Sequence, residues 1–288
     1  MDDVACAIRP AEPADADQCG RICYDAFATI AERHGFPHDF PTVAAAIDAC
    51  RSMISDPRFY GVVAELDGRI VGSNFLDERS TISAVGPVTV DPAVQNRQIG
   101  RTLMLAVLDR AKRLRVPGVR LVQVAYHSRS LSLYTKLGFG VRESLATLHG
   151  APLGVDVDGC VVRPASEADI EVCDELCLRV HGHDRGGELS DSVAQRLAQV
   201  VERHGRITGY TTGIGFFSHS VAETNDDLCA LIGAAQSIGT PGLILPMRNA
   251  ELMRWCLARG LRVVHTMNLM TIGLYQEPCG VYLPSVGY

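Results

Sequence analysis

The residues whose types and spacing could do chemistry lie between positions 85 and 139. An apolar run, 85–90, ends at Asp91-Pro92, and Gln95-Asn96-Arg97-Gln98-Ile99-Gly100 follows. From there Ile99, Leu103, Val107, Ala111 and Leu114 recur every three or four residues, which predicts an amphipathic helix. A strand that passes through a tight loop into a helix start is an anion site. The loop amides and the first unbonded helix N–H groups point one way, and the helix dipole adds about half a positive charge. Arg97 and Arg101 add two full charges at the same end, so a pyrophosphate is the natural guest. The loop lacks the Gly-Lys-Ser/Thr of a Walker loop and the three glycines of a dinucleotide fingerprint.

The elements that must hold this site follow from the flanking residues. Lys112, Arg113 and Arg115 crowd the last turn of the helix, where cations suit the dipole, and Pro117-Gly118 stops it. A second strand is expected over 119–125, then a short helix through "YHSRSLSLYTKLGFGV" that ends at Gly138.

Together, "VTVDPAVQNRQIGRTLM" and "SLSLYTKLGF" resemble the acyl-CoA-binding core of the GCN5-related N-acetyltransferases. Gln95 and Gly100 fit the family's loop pattern, and Tyr134 with Gly138-Phe139 fits its later helix. Gln98 stands where the family has its first loop glycine, so its side chain must turn outward. The resemblance implies an α/β fold, a mostly antiparallel sheet flanked by helices. It also implies direct transfer of an acetyl group from acetyl-CoA to a primary amine. On that basis the backbone of Val88, Thr89 and Val90 would bond the pantetheine arm as an added strand would. Gln95, Asn96, Arg97, Gln98, Ile99, Gly100, Arg101 and Thr102 would hold the pyrophosphate, with His127 and Ser130 beside the pantetheine. Tyr134 would protonate the departing thiolate, and Glu78, next to Asp77, would take the proton of the amine. The loop 34–41, with Phe36, His38 and Phe40, would wall the acceptor pocket. A different class, a non-catalytic CoA-sensing or protein-binding module, is set against this reading by Gln98.

Composition narrows the alternatives. In 288 residues, 47% hydrophobic and 21% charged with a net charge of −6, the chain can bury a core and shows no basic patch for nucleic acid. No apolar run approaches the ~20 residues of a membrane span. The acidic start, without a signal peptide's basic and apolar regions, and the ten cysteines point to reduced thiols in a cytosol. Cys19 and Cys23, like Cys173 and Cys177, read as small buried hydrophobes, and no metal is expected. The acceptor is expected to be a small-molecule or peptide amine, and a homodimer is left open.

A duplication sets the domain count. A shift of 154 residues lays Arg9-Pro10-Ala11 on Arg163-Pro164-Ala165, Asp15 on Asp169, Cys19 on Cys173 and Cys23 on Cys177. Two tandem folds of the same kind are therefore expected, 1–150 catalytic and 151–288 a degenerate copy. In the copy Glu223, Asp226 and Asp227 replace the basic loop, and Cys256 and Asn249 fall on Tyr134 and His127. The first half should open with a strand over 5–9, a helix N-capped by Asp15 and a second helix over 43–54, followed by a hairpin turning at Asp67-Gly68. Helices are expected at 168–180 and 192–204 in the second half.

Overall fold

A computed structural model describes residues 6–287, so position 5 of the expected first strand lies outside the described residues. By contact the chain divides into two compact units. One takes the chain up to Glu78 together with Ile82–Arg120, and the other takes Arg79–Thr81 and everything from Leu121 on.

In the first unit, strands β1 (Ala7–Pro10), β2 (Phe59–Leu66), β3 (Arg69–Asp77) and β4 (Ser83–Val85) pair antiparallel in that order. The β2–β3 hairpin turns at Asp67-Gly68, both with positive φ, which Asp tolerates and which Gly, lacking a Cβ, adopts freely. β4 then pairs in parallel with the start of β6 (Gly118–Val124) at Ser83↔Val119 and Ala84↔Arg120. The two-residue strand β5 (Thr89–Val90) stays with β3. Helix α1 (Ala16–His34) ends at Gly35 in the left-handed conformation, and Thr42 caps α2 (Val43–Ser55) through a bond from the Ala45 amide. Cys19, Ile22, Cys23, Phe40, Ala46, Cys50, Val63, Ile70 and Phe75 form one core between these helices and the sheet. Gly20 lets the helices close: a Cβ there would stand 2.3 Å from Ile47 Cα. Asp15 does not cap α1. Its carboxylate accepts from the Glu12 amide at 2.8 Å and from Arg9 at 2.6 and 3.0 Å, because a turn of 3-10 helix precedes α1.

Helix α3 (Ile99–Leu114) buries Ile99, Leu103, Val107 and Ala111 as the stripe predicts. Leu114, the last of that stripe, is 44% exposed, since Arg115 turns left-handed and ends the helix there.

The second unit continues with α4 (Ser128–Lys136), β7 (Gly140–His149), β8 (Cys160–Pro164), α5 (Ile170–His181), α6 (Gly186–Ala194), β9 (Gln199–Arg203), β10 (Arg206–Thr211) and β11 (Ser220–Ala222). α7 (Asn225–Ala234), β12 (Leu243–Pro246), α8 (Ala250–Ala258), β13 (Arg262–Gly273) and β14 (Val281–Leu283) complete it. Five strands form one sheet in the order β14-β11-β10-β9-β8. Elsewhere β7 lies between β13 and β12, with Leu145↔Met267 on one side and Leu148↔Leu243 on the other. Contact divides the chain after Arg120, and among the described residues β7 ladders with strands more than ninety residues downstream. The helix expected over 192–204 is corrected by the structure. α6 stops at Ala194, Arg196 has φ 60°, and 199–203 is β9, paired on both sides by β8 and β10.

The two halves repeat one ion-pair motif. Arg9 donates to Asp15 and, at 3.0 Å, to Glu65; Arg163 donates to Asp169 and, at 2.8 Å, to Glu202. Each arginine holds its aspartate below the usual carboxylate range.

Candidate active site

β5 supplies the first part of the site. Thr89 turns its side chain inward to Ser73 at 3.1 Å and is 2% exposed, so the strand offers its backbone there. Among the described residues β5 pairs with β3 and with no second strand. Gln95 reaches back to this strand, its amide donating to the Val90 carbonyl at 3.3 Å.

The loop between β5 and α3 carries the positive charge. Asn96 and Gln98 have φ of 70° and 61°, the left-handed region that costs a non-glycine residue about 1–2 kcal/mol. Gln98 is exposed, its side chain outward as the sequence requires. It makes no side-chain cap to α3, although its carbonyl accepts from the Thr102 amide at 3.0 Å and hydroxyl at 3.2 Å. The start of α3 thus keeps its first amides for a ligand. Arg97 and Arg101 are exposed at this end and make no ion pair among the described residues.

Glu78 is held by Arg110 of α3 in a two-pronged pair, 2.8 and 3.0 Å. Both of its carboxylate oxygens are thus occupied by the guanidinium. The pair ties the end of β3 to α3. Arg110, which also lies 5.2 Å from the Tyr60 ring centre, is a residue that sequence reasoning missed.

The acceptor-loop residues separate. His38 accepts or donates at Tyr24 Oη (3.2 Å) and pairs with Glu32 (3.0 Å). Phe36 is half-buried, its amide bonded to the Ala31 carbonyl at 3.0 Å. Phe40, 7% exposed and 6.3 Å from the Phe27 ring, belongs to the core and lines no surface, a correction to its expected role. The same loop buries Asp39, whose Oδ1 finds no hydrogen-bond partner among the described residues. Burial pushes its carboxyl up to about 6 against the opposing pull of His38. Nothing in its spacing marked it out.

In the second unit, α4 presents Tyr134. The side chain is half-buried with its ring 6.1 Å from Phe139, and burial pushes the phenol up to about 12. Its hydroxyl makes no hydrogen bond among the described residues. His127 sits at the N-cap position and its carbonyl accepts from the Ser130 hydroxyl at 2.9 Å. Gln123, also missed in sequence, organises this turn: it donates to the His127 carbonyl and to Ser130 Oγ, and Asn268 of β13 donates to it at 3.0 Å.

With this geometry in hand, the comparisons with known proteins agree on one family. The model of the acetyltransferase (GNAT) family matches residues 24–139, and that stretch is a GNAT domain. It is similar to a putative acetyltransferase from Pyrococcus horikoshii, 19% identical, over 96% of this chain and 92% of that one, with a TM-score of 0.77. It is also similar to a tandem GNAT protein from the clavulanic acid biosynthesis pathway, 15% identical, over 93% and 98%, with a TM-score of 0.58. At these identities the likeness is one of fold, and that fold is the tandem GNAT architecture. A 63-residue stretch is 40% identical to the mycothiol acetyltransferase of Nocardia farcinica, covering 22% of this chain and 21% of that protein's length.

Proposed function

We propose that the chain is an acyl-CoA-dependent N-acetyltransferase that uses acetyl-CoA and a primary amine. The observation that carries this reading is the conjunction in the first unit: a backbone edge at β5 with no second strand, then a loop with Arg97, then a helix start with no side-chain cap and Arg101 in its first turn, neither arginine in an ion pair among the described residues. An edge suits an amide-bearing arm, and the loop suits a diphosphate. The amine nitrogen attacks the acetyl carbonyl carbon, the C–N bond forms, and collapse of the tetrahedral intermediate breaks C–S. The proton of the amine leaves to solvent, with Glu78 kept out of its path by Arg110. Tyr134, with its phenol pushed up to about 12, stays protonated and donates a hydrogen bond to the departing sulfur. Since a thiol titrates near about 8.5, this donor stabilises the thiolate rather than yielding its proton outright. His127 and Ser130 are assigned to the pantetheine, and Phe36 and His38 to the acceptor.

The test mixes the protein with acetyl-CoA and a panel of polyamines, aminoglycosides, amino acids and peptides, and follows thiol release. The similarity to a mycothiol acetyltransferase adds a mycothiol-type amine to the panel. CoA binding with no turnover on any amine would favour a sensing module, and no CoA binding would remove the acyl-CoA reading altogether. No helix among the described residues is long and apolar enough to cross a membrane, and none of their His, Cys, Asp and Glu clusters could hold a metal ion.

A further inference from the structure

We infer that the second half carries the counterpart of the cofactor edge and that the chain's own last strand, β14, occupies it. The inference rests on the acyl-CoA reading of the first half. Strand register fixes the correspondence. In the first half Gly72 faces Val90 and Ser73 faces Thr89; in the second Gly209 faces Ala222 and Tyr210 faces Val221. Gly72 and Gly209 each lie three residues past an arginine, Arg69 or Arg206, that opens the strand out of a hairpin. Both glycines are set by close approach: a Cβ on Gly72 would lie 2.6 Å from the Thr89 carbonyl, and one on Gly209 would lie 2.8 Å from Ala222 Cβ. Ser220, Val221 and Ala222 therefore stand where Val88, Thr89 and Val90 stand.

On the far side the halves differ. β5 has no second strand among the described residues, whereas β11 carries β14, with Ser220↔Leu283, Val221↔Tyr282 and Ala222↔Val281. An edge already laddered cannot accept a pantetheine arm as an added strand. The segment is anchored, not merely adjacent. Tyr282 and Leu283 are each 2% exposed, the Tyr282 ring stands 4.9 Å from His181, and Arg185 donates to Ser285 Oγ at 3.1 Å.

The diphosphate position is filled in the same way. α3 begins nine residues after Val90, at Ile99, while α7 begins three residues after Ala222, at Asn225, so no loop is left to wrap a ligand. The start of α7 closes on an internal anion. The Asp227 carboxylate, wholly buried, accepts from the Thr224 hydroxyl and amide at 2.7 and 3.0 Å and from Thr208 Oγ1 at 2.6 Å, with Arg203 at 3.4 Å. A diphosphate brought there would meet a fixed negative charge.

The experiment titrates coenzyme A into the full chain and follows hydrogen exchange at residues 220–222 and 281–283. One coenzyme A per chain is expected, and exchange at both strands should be slow and unchanged at saturation. Arg101→Glu, which reverses a charge at the first-half loop, should weaken binding at least tenfold and leave no residual site. A second equivalent bound, or binding that persists undiminished in Arg101→Glu, overturns the inference, as does ligand-dependent loss of protection in β14. No binding to the unaltered chain would instead overturn the acyl-CoA reading on which the inference stands, so the two failures are distinct.

Discussion

Asp39 shows how a single buried carboxylate tunes stability. Its folded pKa, pushed up to about 6, exceeds the ordinary value of an aspartate in an unfolded chain, about 3.9. The folded state therefore binds the extra proton, and the stability this group contributes is fully present below pH ~4 and is lost as pH rises through 6. Asp39→Asn should then stabilise the protein at pH 7.5 by on the order of 1–3 kcal/mol and change little at pH 4. Urea midpoints at the two pH values check this, and an equal effect at both would disprove the assignment. Tyr134→Phe removes only the donor to sulfur. Turnover on a responsive amine should fall by roughly 10²-fold with affinity for CoA retained; undiminished turnover would give the donor role to water. These two residues differ in legibility. Tyr134 stands four residues before Gly138 in a recognisable helix. Asp39 looks like any loop aspartate, because its burial is decided by the α1–α2 packing around Phe40 and Cys23.

Among the elements, the α1–α2 pair depends most on a single absent side chain. Gly20→Ala would improve helix propensity by roughly 1 kcal/mol but place a methyl within 2.3 Å of Ile47 Cα, and the overpacking should win with a net loss of roughly 1–3 kcal/mol. Thermal unfolding of that variant measures it, and a rise in Tm would show that the helices part freely. The local signals for α2 and α3 were complete, a cap at Thr42 and a 3.6-residue stripe from Ile99. The segment 192–204 misleads because Val193, Leu197 and Val201 also keep a helical period. Ladders to β8 and β10 on both sides override that propensity. The β5 edge and its loop were legible as a strand, loop and helix start, while the Glu78–Arg110 pair, formed across 32 residues, left no local trace.

For the whole molecule, the pairing of β7 decides what can be removed. A fragment of residues 1–150 keeps the loop, α3 and Tyr134, yet it leaves β7 without β13 and β12 and exposes Leu145 and Leu148, both fully buried in the intact chain. It should be insoluble or inactive on expression, whereas a soluble fragment with full activity would show that the downstream strands are dispensable. The repeated arginine–aspartate motif was readable from matched residues 154 positions apart. The exchange of strands was not, because strand partners are chosen by the assembled sheet and not by the residues around each strand.

That arrangement also sets an order of events on the ribosome. His149 ends β7, but the last residue of its partner β13 is Gly273, so 124 further residues must be made before the ladder can close. At a synthesis rate of roughly 5–20 residues per second, this leaves an apolar strand waiting for about 6–25 s. During that interval the nascent chain exposes a strand with both edges bare, a ready target for a chaperone or for another copy of itself.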